Sequence, residues 1–435
     1  MGLRREDSGL LGPLGFAFLM FSMASCLPLF FLGPIAYDMG LSLGQALVAA
    51  LVGNAVVAAA LVLNGLPGVR ERIGFGEHAR RVFGRFYKIP VLLRGLVGGL
   101  WYGVEAFNGA LAMVMIVLFL AGVPREAISA EAMKYLPLAL AFYVASIILV
   151  FRRGMAAVGR AATLAGPLLL AYFAWLAIRS PGEATLAAYS APGVSWLSAT
   201  FLAYLAIQTN WWATVAVNAS DLTSAARDVR SVAIGVALGL VGGQLLGTLL
   251  GYRLAAVSGS ALPHEIILSE APGALAILLG LAFAFLAPWT TDLSANVPAL
   301  ADLVEEIGGT SRARAAVVAG LLGLVLAPWY ALDKAGEIVG YVAGFAASYG
   351  VLLGPILGAM LAWLALRGRL PATVAFAGML AGIVASYAFS WAAGQMQSLE
   401  LAGATLPAPS GLSWYVGVAA ALAVSTVAQQ LRARG

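Results

Sequence analysis

Apolar stretches of about 20 residues recur along the whole chain of 435 residues. A helix of that length rises 1.5 Å per residue and so crosses the roughly 30 Å hydrocarbon core of a bilayer. Only 10% of the residues are charged, whereas a soluble domain is about one quarter charged. The sequence therefore predicts an all-α polytopic membrane protein and excludes an ordinary soluble domain.

The hydropathy pattern predicts twelve transmembrane helices. They cover residues 14–35, 43–62, 89–120, 136–150, 155–178, 195–217, 232–257, 274–297, 315–331, 338–366, 373–393 and 412–428. The tenth is long for one crossing and contains Pro355, which removes a backbone donor, so we expect a kink within 349–355.

Basic residues are concentrated in alternate connections between these helices. One set holds Arg125, Lys134, Arg179, Arg253 and Lys334, and the richer set holds Arg4, Arg5, Arg70, Arg72, Arg80, Arg81, Arg85, Lys88, Arg152, Arg153, Arg160, Arg227, Arg230, Arg312, Arg314, Arg367, Arg369, Arg432 and Arg434. Because cytoplasmic loops carry the positive excess, both termini are predicted to be cytoplasmic. The net positive charge is thus explained by topology, and no nucleic-acid partner is expected. The Arg-, Ala- and Gly-rich composition is typical of a GC-rich prokaryotic genome, which predicts a prokaryotic cell membrane.

Four of the predicted helices carry polar clusters near mid-membrane. An ionisable group there costs about 2.5–3.5 kcal/mol on insertion scales, so such groups usually face the interior and serve a function. The clusters are Ser22 and Ser25 near Pro28; Trp101, Glu105 and Asn108; Gln208, Thr209 and Asn210 beside Trp211 and Trp212; and Thr290, Thr291, Asp292, Ser294 and Asn296.

Each cluster also has a purely structural interpretation. The first could be a proline kink, and the hydroxyls of the fourth could bond their own helix carbonyls. Glu105 could pair with an interior arginine such as Arg94, and Trp211 and Trp212 could belong to an interfacial aromatic belt. The spacing i, i+4, i+7 places Trp101, Glu105 and Asn108 on one helix face, which favours a site for a flat ligand.

The clusters lie in predicted helices one, three, six and eight. A shift of five helices maps one onto six and three onto eight, and an odd shift reverses direction through the membrane. This pattern is typical of transporters with inverted repeats and broken helices. We therefore predict a transporter core over 1–366, with repeats at about 10–180 and 190–366 and breaks in helices one and six, followed by two further helices over 367–435.

Several segments resemble the nucleobase–cation symporters of family 1, which include purine–cytosine, uracil, allantoin and hydantoin permeases. They are "GLSLGQALVAALVGN", "IGFGEHARRVFG", "KIPVLLRGLVGGLWYGVE", "WWATVAVNASDLTSAARD", "PWTTDLSAN" and "YGVLLGPILGAMLAWLALR". The resemblance covers roughly residues 10–366. It implies a ten-helix inverted repeat with two extra helices, neither enzymatic chemistry nor a cofactor, and coupling to sodium or a proton.

The resemblance also implies roles for individual residues. Trp101 and Trp212 would stack on the two faces of a planar substrate, with Glu105 and Asn296 hydrogen-bonding its ring. Asn108, Gln208 and Cys26 are further candidates for the substrate site. The implied sodium ligands are the carbonyls of Ser22, Ser25 and Ala287 and the hydroxyls of Thr290 and Thr291.

Two acids depart from the family pattern. Glu105 stands where many members have Gln, and Asp292 adds a second acid beside the implied sodium ligands, so both are candidates for proton coupling. The prediction is a symporter that imports a nucleobase or related heterocycle by alternating access. The alternatives are a transporter of the same fold for an amino acid, vitamin or amine, and a channel.

Overall fold

The computed structural model describes residues 10–153, 155–179, 193–258, 264, 267–268, 271–326, 338–401 and 404–433. Its helices confirm the expected helical membrane fold. They are α1 (Pro13–Ala24), α2 (Leu32–Asp38), α3 (Leu43–Asn64), α4 (Leu66–Glu71), α5 (Phe75–Phe83), α6 (Lys88–Leu120), α7 (Arg125–Phe151), α8 (Met155–Arg179), α9 (Ala199–Val217), α10 (Ala219–Thr223), α11 (Val229–Gly235), α12 (Gly242–Ser258), α13 (Gly273–Thr291), α14 (Val297–Gly308), α15 (Arg312–Leu326), α16 (Ile338–Ser348), α17 (Gly350–Ala365), α18 (Ala372–Ala392) and α19 (Ser413–Arg432).

Within the described residues, eight helices are long and apolar enough to cross a membrane, or nine when the bent pair Pro13–Ala24 and Leu27–Asp38 counts as one span. The twelve-helix count and the inverted repeat stay predictions, and residues 327–331 of the ninth predicted helix lie outside the described part. Several helices run beyond their expected limits: α7 begins at Arg125, which the sequence analysis placed in a loop.

An antiparallel hairpin, β1 (Met396–Leu401) and β2 (Ala404–Pro409), lies between α18 and α19 and was not expected. It pairs Leu399 with Leu406, for example. The hydropathy pattern identifies apolar helices, and this segment lies in the connection between two of them, so the pattern does not indicate a hairpin. The hairpin is an addition to a helical fold and lies outside the predicted transporter core.

The first membrane segment is broken, as predicted. The helix α1 ends at Ala24, a 3₁₀ turn covers Leu27–Phe31, and α2 follows at an angle of 65° to the first half. Pro28 lies in the turn and has no N–H to continue the helical bonding. The carbonyls of the last turn of α1 are thereby left without helical donors.

The sixth membrane segment behaves differently. The helix α9 is continuous from Ala199 to Val217, and its interruption lies at Asn218, before the short α10. The Asn64 amide donates to the carbonyls of Ala216 and Val217 at 2.8 and 2.9 Å. These bonds satisfy acceptors at the end of α9, so the break is at one end of the segment and not at its centre.

Two further irregularities lie in the eighth and tenth predicted helices. A π-helical segment, Asp292–Asn296, joins α13 to α14, and Pro298 follows it. Such π-bulges are frequent at functional sites. The helices α16 and α17 meet at Tyr349, within the interval where the kink was predicted.

Small residues allow close helix contacts, as is common in membranes. A Cβ on Gly33 of α2 would lie 1.8 Å from the Tyr252 backbone nitrogen, and one on Gly251 would lie 2.2 Å from the Phe30 carbonyl oxygen. On α6, a Cβ on Gly98 would lie 3.1 Å from the Asn296 carbonyl. This last contact places the middle of α6 directly against the π-helical segment.

Candidate functional site

A buried pocket lies where the break after α1, the middle of α6, α9 and the π-helical segment meet. Its cavity volume is about 20 Å³, about one water-sized probe, so a heterocycle enters only if side chains move. The lining residues are Cys26, Trp101, Glu105, Trp211, Trp212, Thr214, Val215, Thr291, Ala295 and Asn296. Five of the seven residues expected to bind substrate are therefore brought together: Cys26, Trp101, Glu105, Trp212 and Asn296.

Three tryptophan side chains line the pocket: Trp101, Trp211 and Trp212. The Trp101 ring lies 5.4 Å from the Trp211 ring, with a 58° angle between their planes, and 5.3 Å from Phe345. Trp212 lines the same pocket, and its Nε1 donates to Gln244 Oε1 at 2.7 Å. Trp211 was not among the expected site residues, although the pair of consecutive tryptophans was the signal that could have included it.

Two buried acids lie at the pocket. Glu105 is 1% exposed, and its Oε2 has no hydrogen-bond partner, while the Cys26 thiol is within hydrogen-bonding reach of this carboxyl. Asp292 is fully buried and accepts two bonds, from Tyr143 Oη at 2.8 Å and from Asn296 Nδ2 at 2.9 Å. Tyr143, on α7, was missed because nothing in its local sequence indicates a polar contact.

The other two expected substrate contacts do not line the pocket. Asn108 Nδ2 donates to the Val104 carbonyl of its own helix at 2.8 Å. Gln208 donates to Tyr204 Oη and accepts from Gln244 Nε2, each at 2.7 Å. Since Gln244 also holds Trp212, Gln208 supports that indole from behind.

The candidate cation site lies where α13 meets the end of α1. Thr290 Oγ1 donates to the Ser22 carbonyl at 2.8 Å, and Thr291 Oγ1 to the Met23 carbonyl at 2.6 Å. The Ala287 carbonyl oxygen lies 3.1 and 3.0 Å from the same two hydroxyl oxygens. Four of the five expected sodium ligands thus lie together.

The fifth expected ligand, the backbone carbonyl of Ser25, stays a prediction. The Ser25 hydroxyl donates to the Phe21 carbonyl at 2.7 Å, and the Ser25 backbone ends α1. Met23 takes a place that the sequence did not suggest, because its carbonyl is a backbone group and carries no side-chain signal.

The chemistry of this second site suits a small hard cation. All the converging atoms are neutral oxygens, and the C-terminal end of α1 adds partial negative charge. No group of three or more His, Cys, Asp and Glu residues that could hold a metal ion occurs in the described part of the chain. The atoms present fit sodium and provide no soft ligands for a transition metal.

A third polar cluster lies beyond the pocket on α6. Arg94 is fully buried, and it donates from Nε to Asn218 Oδ1 at 2.9 Å and from Nη2 to the Ala295 carbonyl at 2.8 Å. Asn218 in turn donates to Asp221 at 2.9 Å, and Asp221 accepts the Phe75 N–H at 2.7 Å. The Arg94 cluster, meaning Arg94, Asn218 and Asp221, therefore bonds partners other than Glu105, while Arg94 Nη1 is buried without a partner.

A broken first membrane segment, a pocket beside it and a paired-threonine segment packed on the break together define a polytopic transporter. A family model described as permease for cytosine/purines, uracil, thiamine, allantoin matches residues 10–378. The chain belongs to this family.

Curated relatives agree with the family. The chain is 28% identical over 333 residues to a purine-uracil permease of Arabidopsis thaliana, covering 72% of this chain and 55% of the relative. It is 26% identical over 323 residues to an allantoin permease of Bacillus subtilis, covering 69% and 65%. The matches thus span between about half and two thirds of these relatives.

Solved structures share the fold. Mhp1, a nucleobase–cation symport-1 family transporter in a closed conformation with bromovinylhydantoin bound, aligns with TM-score 0.78 at 20% identity, over 98% of this chain and 93% of that chain. Its inward-facing conformation aligns with TM-score 0.69 at 21% identity, over 97% and 91%. A Na⁺-coupled sialic acid symporter aligns with TM-score 0.63 at 15% identity, over 97% and 90%.

Proposed function

We propose that this transporter imports a nucleobase or related planar heterocycle together with a cation, by alternating access. One observation carries the proposal: Thr291 belongs to both sites. Thr291 lines the buried pocket that contains the three tryptophans, and its hydroxyl donates to the Met23 carbonyl at the end of α1. A cation that reorders Thr291 and α1 therefore reshapes one wall of the pocket.

In this proposal the ring stacks against Trp101, and either Trp211 or Trp212 covers its other face. Glu105 and Asn296 hydrogen-bond its edge. The carbonyls of Ser22, Met23 and Ala287, with Thr290 and Thr291, hold sodium. Because aromatic stacking depends little on the identity of the ring, the polar edge sets the selectivity.

Glu105 and Asp292 are the candidates for proton coupling. Both are buried carboxyls, and the described residues that line the pocket include no basic side chain to neutralise them. A proton carried by one of them would replace or accompany sodium as the coupling ion. Sodium and proton coupling are separated by varying each gradient alone.

Alternating access requires one side of the pocket to close while the other opens. The Arg94 cluster joins α6 and the π-helical segment to the end of α9, beyond the pocket. We place it on the cytoplasmic side, with both termini, in the cell membrane of a prokaryote. Opening toward the cytoplasm breaks the Arg94–Asn218 contact.

The membrane potential supplies the driving force. Each positive charge moving inward gains about 2.3 kcal/mol per 100 mV, which supports roughly fortyfold accumulation. Neutral rings accumulate only through such coupling. The cation site beside the pocket is what makes coupling possible in this proposal.

Uptake into proteoliposomes tests the function. Radiolabelled cytosine, uracil, hypoxanthine and allantoin are presented with an inward sodium gradient, with a proton gradient, and with neither. Saturable uptake of one ring, raised at least severalfold by a cation gradient, supports the proposal. Failure of all four to enter favours a transporter of the same fold for another solute, and unsaturable currents favour a channel.

A further inference from the structure

When Glu105 is ionised, the polar edge of the pocket is built from two hydrogen-bond acceptors. Glu105 Oε2 is buried and has no partner. Asn296 uses its Nδ2 to donate to Asp292 Oδ1 at 2.9 Å, which leaves its amide oxygen as the atom free for a ligand. Both side chains line the same cavity.

Asp292 fixes the orientation of the Asn296 amide. In its ionised form the Asp292 carboxylate has acceptors only, so Asn296 then presents its NH₂ group to it. The other oxygen of Asp292 accepts from Tyr143 Oη at 2.8 Å, which holds the carboxylate in place. Tyr143 in turn fits because Gly109 has no side chain: a Cβ there would lie 2.4 Å from Tyr143 Cε2.

A donor lies beside these acceptors. Trp101 lines the same cavity, and its buried Nε1 makes no hydrogen bond of good geometry, although the Tyr349 hydroxyl is within its reach. Because Glu105 and Asn296 border one cavity of only about 20 Å³, two donors that reach both would be adjacent on the ring, as an exocyclic amino group and a ring N–H are, with a carbonyl left for Trp101. A ring without the second donor leaves a buried acceptor unpaired, which hydrogen-bonding sites reject strongly.

We infer that the pocket selects rings that carry an amino group beside a ring N–H, such as 2-aminopyrimidinones and 2-aminopurinones. Asp292 and Tyr143 are positioning residues that give Asn296 its acceptor character. The inference rests on the proposed function, because it names the substrate class of that same pocket. Rings of the same shape that lack the amino group bind more weakly.

A matched pair of soluble rings tests the selectivity. Isocytosine carries a 2-amino group beside a ring N–H, and 4-pyrimidinone is the same ring without the amino group. Affinities are measured on the purified full chain in saturating sodium, by quenching of tryptophan fluorescence. We expect isocytosine to bind at least tenfold more tightly, the ratio expected from one hydrogen bond to a buried carboxylate.

Two variants locate the preference. Glu105→Gln replaces an acceptor by an amide, and Asp292→Asn allows Asn296 to turn its NH₂ group toward the pocket. Each is expected to reduce the tenfold ratio to less than threefold. Glu131→Gln is the matched control, because Glu131 is a partly exposed acid paired with Lys134 at the start of α7, and it is expected to keep the ratio.

The outcomes separate the inference from the function beneath it. Equal affinity of the wild-type protein for the two rings overturns the inference and leaves the proposed function standing, and this comparison needs no variant. A full preference in a folded Glu105→Gln protein also overturns it. If isocytosine, 4-pyrimidinone, uracil and hypoxanthine all fail to bind, both the inference and the proposed function fail.

Discussion

Two buried polar regions on α6 differ in how many bonds they make within the protein and in whether they line the pocket. Arg94 and Glu105 are eleven residues apart, about 16 Å along the helix axis. Two guanidinium nitrogens of Arg94 donate to protein acceptors, and both oxygens of Asp221 are bonded. Arg94 Nη1 and Glu105 Oε2 are both buried without a partner, but of these two residues Glu105 lines the pocket and Arg94 does not.

We interpret the Arg94 cluster as a contact that closes one side of the pocket, and Glu105 as part of the binding site. Bonds made within the protein hold helices together and are broken only when helices separate. A buried atom without a partner costs free energy in the empty protein and regains it when a ligand supplies the missing bond. The predictions below test whether the two regions of α6 divide these tasks.

The largest effect is expected for Arg94→Ala. The substitution leaves a cavity and removes the donors from Asn218 Oδ1 and the Ala295 carbonyl, which should lower the free energy of unfolding by about 2–5 kcal/mol. Unfolding followed by tryptophan fluorescence measures it. Arg152→Ala, at an exposed position after α7, is the control and should change stability by less than about 0.5 kcal/mol. Equal behaviour of the two variants would remove the structural role assigned to Arg94.

Thr291→Ala comes next. It removes a hydroxyl shared by the cation site and the pocket, so the sodium concentration for half-maximal ring binding should rise at least tenfold. Ring affinity at saturating sodium should fall much less. Thr426→Ala is the control, since the Thr426 hydroxyl bonds only carbonyls of its own helix. An unchanged sodium requirement in Thr291→Ala contradicts the cation assignment.

Asn296 and Asn108 form a third comparison. Both are buried, but Asn296 lines the pocket and Asn108 bonds its own helix. Asn296→Ala should weaken ring binding about tenfold, and Asn108→Ala less than threefold. Isothermal calorimetry at fixed sodium gives both values. The reverse order would contradict the assignment of Asn296, and not Asn108, to the ligand.

The smallest effect concerns His78 on α5, outside the membrane-spanning segments. Burial, and secondarily the charge of Arg81, lower the pKa of His78 from 6.5 to about 3. Since the unfolded chain binds this proton below pH 6.5 and the folded chain does not, stability falls with acidification between pH 6.5 and 3. Between pH 7 and 6, His78 should lower the free energy of unfolding of the wild type by roughly 0.7 kcal/mol, and His78→Gln should not show this loss. An identical pH dependence of unfolding in wild type and variant would contradict the assignment.

Side-chain chemistry at regular spacing was the part of the site that the sequence could predict. Thr290 and Thr291 stood out as adjacent hydroxyls, and Trp101 and Glu105 as neighbours on one helical face. Pro28 predicted the break after α1 because its effect on a helix is local.

Contacts between distant segments could not be predicted in the same way. Tyr143 reaches Asp292 across 149 residues of sequence, and only the packing of α7 on the π-helical segment reveals it. The Met23 carbonyl has no side-chain signal at all. Asn108 and Gln208 share the polar character of true pocket residues, and only their bonding partners distinguish them.

Calorimetric titration of the purified protein tests the link between the cation site and the pocket most directly. Sodium is titrated with and without a saturating ring, and the ring with and without saturating sodium. Coupling through Thr291 predicts that each ligand tightens the other by the same factor, well above one, as thermodynamic linkage requires. Affinities that are indifferent to the second ligand would contradict the account.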